Sequence, residues 1–186
     1  MKNSIPIIIG VTGHRDLIEN SINTLKTKVK FILNKYKKSY SPADIIILTA
    51  LAEGADMLVA EVAKELGLKL HIAIPYDEND YLNSFIKNES KKIFQELKFY
   101  ATDFKTLPCK YIQNGDDCYK KLGEYIVDNS NVLLALWDGI VNGKKGGTSC
   151  VIQYAKKSFT KKQLDEKSIV IINTPRISSE KLLTNP

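Results

Sequence analysis

Five short apolar runs, none with clean alternation, constrain this chain more than anything else in it. They cover residues 5–11, 44–49, 69–74, 131–137 and 168–173, and they are rich in Ile, Val and Leu. A strand with one wet face alternates apolar and polar residues. A strand covered on both faces has no need to, and such strands belong to parallel sheets sandwiched between helices.

The segments between the runs carry helical periodicity. Over 19–36, Ile22, Leu25, Val29, Ile32 and Leu33 fall on one face. Over 54–66, Ala55, Leu58, Val59, Val62 and Leu66 do the same. Residues 79–99 read as one or two helices, 117–129 as another with Leu122, Tyr125 and Ile126 inward, and 148–157 as the last. Residues 109–112 are the one place for a short extra strand. Alternating strands and helices predict an α/β, Rossmann-like doubly wound, mainly parallel sheet. It should have about five or more strands, with helices on both faces.

The length of 186 residues suits one domain. That domain is expected over 1–174. Residues 175–186, with Pro175, Pro186, Ser178 and Ser179, read as a C-terminal tail that is partly disordered. Lys and Arg exceed Asp and Glu by six, mostly in lysine runs that read as solvated helix faces. Aromatic residues do not interleave with those lysines, so nucleic acid is not the expected partner. The three cysteines, Cys109, Cys118 and Cys150, form no paired spacing. This argues against a disulfide framework, and with two histidines no structural metal site is expected. Cys150 reads as a small buried apolar residue. No stretch approaches the roughly 18 apolar residues of a membrane span, so a cytoplasmic protein is expected.

In an open parallel sheet, ligands bind beyond the carboxyl ends of the strands, where strand order reverses. The residues after each run therefore carry the chemistry. After the first comes GVTGHRD. Gly10 and Gly13 allow close backbone approach, Thr12 and His14 add polar groups, and Arg15 can hold phosphate through paired hydrogen bonds. After the second comes TALAEGAD, where Glu53 is placed to accept ribose hydroxyls and Gly54 opens a helix whose N-terminus favours an anion. The alternative for Glu53 and Asp56 is simple compensation of the helix dipole. After the third come Pro75, which ends the strand, and Tyr76, a candidate pocket wall. After the fourth comes WDGIVNGKKGGTS, the strongest local signal. Gly143, Gly146 and Gly147 lead into Thr148, Ser149 and a helix, which in physical terms is a phosphate cradle. Lys144 and Lys145 add charge, and Asp138 is a second ribose candidate.

Taken in order, IGVTGHRD, LTALAEGAD and LLALWDG…GGT resemble the SLOG superfamily, the Rossmann-like group that takes in the Smf/DprA DNA-processing proteins and the LOG phosphoribohydrolases. The resemblance covers most of residues 5–155. LOG-type enzymes carry a PGGxGTxxE loop. Here the matching stretch is KGGTSCVIQ, which keeps the glycines and Thr148 but has Ser149, Cys150 and Val151 where the catalytic glutamate should fall. The resemblance therefore implies the sensor-type branch. Its members bind NAD-derived or cyclic nucleotides in bacterial anti-phage defence and act as homo-oligomers with an effector domain or protein partner. Gly13, Arg15, Glu53, Gly54, Gly146, Gly147 and Thr148 carry over as ligand contacts. A nucleotide sensor or sequestering module without cofactor is the leading expectation. A LOG-like nucleotide hydrolase using Glu53, His14 and Asp138 is the alternative, and a DprA-like nucleic-acid binder is the third.

Overall fold

The protein is described by a computed structural model covering residues 4–109, 116–141, 143–161 and 168–177. The apolar runs become strands β1 (Ile7–Gly13), β2 (Ile45–Thr49), β3 (Lys69–Ile74), β5 (Val132–Trp137) and β6 (Ile169–Asn173). A further strand, β4 (Asp103–Thr106), pairs with β3 at the sheet edge. All six strands run parallel, in the order β4-β3-β2-β1-β5-β6. The expected doubly wound architecture is the one found.

The helices are α1 (Ile22–Ser39), α2 (Ala55–Glu65), α3 (Glu78–Asn83), α4 (Asn88–Tyr100), α5 (Asp116–Asp128) and α6 (Thr148–Lys161). A short 3-10 turn, Glu19–Ser21, precedes α1. Apolar residues cover both faces of the sheet. Ile9 and Val11 of β1, Ile47 of β2 and Leu134 of β5 point into one core with Leu25, Val29 and Leu33 of α1 and Val59 and Val62 of α2. Leu133 and Ala135 of β5 pack instead on Ile152 and Ala155 of α6, while Leu48 and Ala73 meet Leu122 and Ile126 of α5. Two apolar faces explain why the strands show no alternation.

Three expectations need correction. The extra strand lies at 103–106, before the expected 109–112, of which 110–112 fall outside the described residues. Its sequence DFKT is a half-exposed edge with no apolar run to betray it. Cys109 and Cys118 are joined in a disulfide, their Cα atoms 5.7 Å apart, because the loop after β4 meets the first turn of α5. Cys150 is half-buried, not enclosed. Most of the expected tail, from residue 178 on, lies outside the described residues. Among the described residues no helix is long and apolar enough to cross a membrane.

Candidate functional site

Strand order reverses between β1 and β5. The chain leaves β1 toward β2 on one side and returns, after β4, to β5 on the other. Their carboxyl ends therefore splay loops apart and leave a crevice. A cavity of about 340 Å3 occupies that place. Its wall includes Thr12, Gly13, His14 and Arg15 from the end of β1 and Gly146, Gly147, Thr148 and Ser149 from the start of α6.

The β5–α6 loop is shaped by Gly146. Its φ is +69°, and a Cβ there would stand 2.7 Å from Tyr119 Cβ, so both conformation and space require glycine. Gly147 N–H closes a turn on Lys144 O at 3.1 Å. The first bond of α6 runs from Val151 N–H to Gly147 O. The first turn of α6 therefore opens on the cavity, and the dipole of the helix leaves partial positive charge at that wall. Lys144 and Lys145 line the same region. Val151, at the position of the LOG glutamate, is buried and packs on Gly123. The cavity is apolar at that point.

Arg15 leaves the end of β1 and lies over two rings, 5.4 Å from the Tyr119 centroid and 6.0 Å from that of Tyr81. Its guanidinium is 3.4 Å from both Ser84 Oγ and Tyr119 Oη. Tyr119 Oη is fixed in turn by Tyr76 Oη at 2.9 Å, and Tyr81 O–H donates to Ala50 O at 3.1 Å. The arginine is aimed before any ligand arrives. Tyr119 and Tyr81 come from α5 and α3, far away in sequence, and no local pattern marks them.

His14 is buried, and Asp138 N–H donates to its Nε2 at 3.1 Å. Burial first, and then the charge of Arg176, lower its pKa, against the opposing pull of Asp138. The ring is held neutral. On protonation Nε2 would face Asp138 Oδ1, also 3.1 Å away. Arg176, on the far rim, forks onto Asp16, with Nε–Oδ1 and Nη2–Oδ1 distances of 2.9 Å.

The remaining sequence candidates stand back from the cavity wall. Gly10 packs under α5, where a Cβ would meet Ser130 Oγ at 2.4 Å. Gly54, at φ +83°, lets α2 begin against the backbone of the β1 loop, and Ala55 N–H donates to His14 O at 3.0 Å. Pro75 and Tyr76 are buried behind Tyr119, and Asp138 lies behind His14. Glu53 is turned away altogether. Its carboxylate accepts from Ile86 N–H and Lys87 N–H, both at 2.9 Å, and so holds the break between α3 and α4. The carboxyl that reaches the cavity from this loop is Asp56, almost fully buried in the first turn of α2. Burial pushes its pKa up to about 7, against the hydrogen bond from Ala52 N–H and the charge of Arg15. Among the described residues no cluster suited to a metal ion is present.

No family model matches the sequence, and no curated protein matches it closely enough to count as a relative. Solved structures do match in fold. DNA processing protein A from Helicobacter pylori, described for its single-stranded DNA binding mode, aligns over 96% of this chain and 72% of its own, at 15% identity and a TM-score of 0.56. DprA from Streptococcus pneumoniae aligns over 82% of this chain at 13% identity and a TM-score of 0.55, and this chain spans 47% of its length. TM1055 aligns over 82% of this chain and 69% of its own, at 12% identity and a TM-score of 0.50.

Proposed function

We propose that this chain, a domain with the fold of the SLOG group, binds a phosphorylated nucleotide at the β1/β5 switch point and acts as a sensor or sequestering module. One observation carries the reading: a glycine-rich loop feeds the N-terminus of α6 directly into a cavity at the place where parallel sheets hold ligands. Phosphate fits against Gly146, Gly147, Thr148 and Ser149, with Arg15 reaching in from β1. Thr12, Gly13 and His14 complete the wall. The ligand is expected to be NAD-derived or cyclic, and its size is bounded. At about 340 Å3 the cavity is at the small end of the roughly 300–1,000 Å3 usual for ligand sites. The apolar Val151 and the diverted Glu53 favour binding over hydrolysis, since neither supplies a base there.

The test is a thermal-shift panel of NAD, ADP-ribose, cyclic ADP-ribose isomers, nucleoside monophosphates and cyclic oligonucleotides, followed by chromatography of each mixture. A ligand at 100 times its Kd should stabilise the fold by about 2.7 kcal/mol. A shift with intact ligand supports the sensor. Consumption of the ligand replaces it with the hydrolase. Arg15→Ala should weaken the ligand at least tenfold and leave the empty protein's Tm within about 1 °C.

A second reading, single-stranded nucleic acid, is favoured by the described activity of the Helicobacter pylori neighbour and by the net charge of +6. It predicts affinity that falls steeply with salt, because phosphate contacts release counterions.

A further inference from the structure

The two ends of the cavity differ in charge. On the β5 side lie the start of α6, Lys144 and Lys145. On the β2 side lies the buried carboxyl of Asp56. The other carboxylate on the wall, Asp16, is neutralised by the fork of Arg176. Asp56 is treated differently. Ala52 N–H reaches it at 3.4 Å, and Thr49, Ala50 and the Arg15 guanidinium each favour its charged form against the cost of burial. The carboxyl is at the same time part of the cavity wall.

Holding the Thr49–Ala55 turn does not require a carboxylate, since a neutral amide accepts the same N–H groups. Burying an ionisable group costs more than burying a neutral one. Ionisable groups placed this way, buried beside a cavity, gather at functional sites. A ligand hydroxyl at this end would meet a carboxyl oxygen able to accept its hydrogen bond.

We propose that Asp56 is the residue with which the site recognises ribose: it accepts a hydrogen bond from the ring hydroxyls of a ribonucleotide whose phosphate lies at the N-terminus of α6. This rests on the nucleotide reading above and adds to it an orientation and a selectivity. The site takes ribonucleotides and rejects their 2′-deoxy counterparts, because a missing hydroxyl leaves a buried acceptor unsatisfied. The role that the sequence suggested for Glu53 falls to the acid three residues later.

The experiment compares AMP, GMP, CMP, UMP and ADP-ribose, each with its 2′-deoxy counterpart, by calorimetric titration of the whole chain. The parent is expected to prefer at least one ribonucleotide tenfold or more. In Asp56→Ala the two forms should bind within about twofold of each other, with the deoxy form bound as in the parent. If that variant does not fold, Asp56→Asn keeps an acceptor for Ala52 N–H and should narrow the preference. Equal binding of both sugars by the parent overturns the assignment of Asp56 while leaving the nucleotide site standing. Parallel weakening of both sugars in the variant also overturns it, because that is what loss of a mere loop support would do. Binding of no nucleotide at all overturns the reading beneath it as well.

Discussion

Asp56 and His14 face one cavity and respond to pH in opposite senses. Asp56 holds its proton in the folded state up to about pH 7, whereas an unfolded aspartate loses it near 3.8. Its contribution to stability is therefore complete below pH 3.8 and is lost as pH rises through about 7. The difference corresponds to on the order of 4 kcal/mol. The groups around it are Arg15 from the β1 loop, Thr49 from β2 and Tyr81 from α3. Asp56→Asn should gain on the parent between pH 4 and 8, measured by urea unfolding at each pH. A variant that tracks the parent would mean that the carboxyl titrates normally. His14 works the other way. Its lowered pKa means that the folded state refuses a proton the unfolded chain accepts, so stability is full above pH 6.5 and falls as pH drops below it. Arg176→Ala removes one cause of the lowering. The His14 titration, followed by NMR, should then move upward. Which of two acids in LAEGAD faces the cavity was not legible in the sequence. Both suit the start of a helix, and only the path of the β2–α2 turn sends Glu53 outward and Asp56 inward.

The elements were legible wherever packing on both faces demanded an apolar run. β4 was not, because an edge strand with one half-buried residue, Phe104, has no such demand. Nor was the break between α3 and α4, which is fixed from outside by Glu53. Replacing that carboxylate, as in Glu53→Ala, leaves the Ile86 and Lys87 N–H groups without their acceptor. A loss of about 2–3 kcal/mol is expected. Amide exchange should quicken at those two residues while the β1 and β5 amides stay protected; uniform acceleration would point to global destabilisation alone. The disulfide escaped for a related reason. Cys109 and Cys118 belong to no motif, and their meeting depends on where β4 delivers the chain to α5. It ties down the turn that carries Tyr119, and Tyr119 touches both Arg15 and Gly146.

At the scale of the molecule, one hydrogen-bonded sheet carries all three apolar clusters, so the domain should unfold as a unit. The single tryptophan, Trp137, ends β5 at the cavity wall. Its fluorescence should change on ligand binding, and its thermal transition should coincide with that of far-UV circular dichroism. Separate midpoints would show that the ligand end melts first. The doubly wound architecture and the position of its crevice could be read from the order of strands and helices. The aromatic seat of Arg15 could not, because it is assembled from α3 and α5 only when the sheet brings them together. The last described residues also help to form the cavity: Arg176 lines it, Leu17 bridges to Arg176 in antiparallel fashion, and Ile177 N–H donates to Asp16 O at 3.1 Å. The segment after β6 thus forms part of the wall the ligand would meet. A guest that draws Arg176 away from Asp16 pulls directly on that segment, with no relay through the interior.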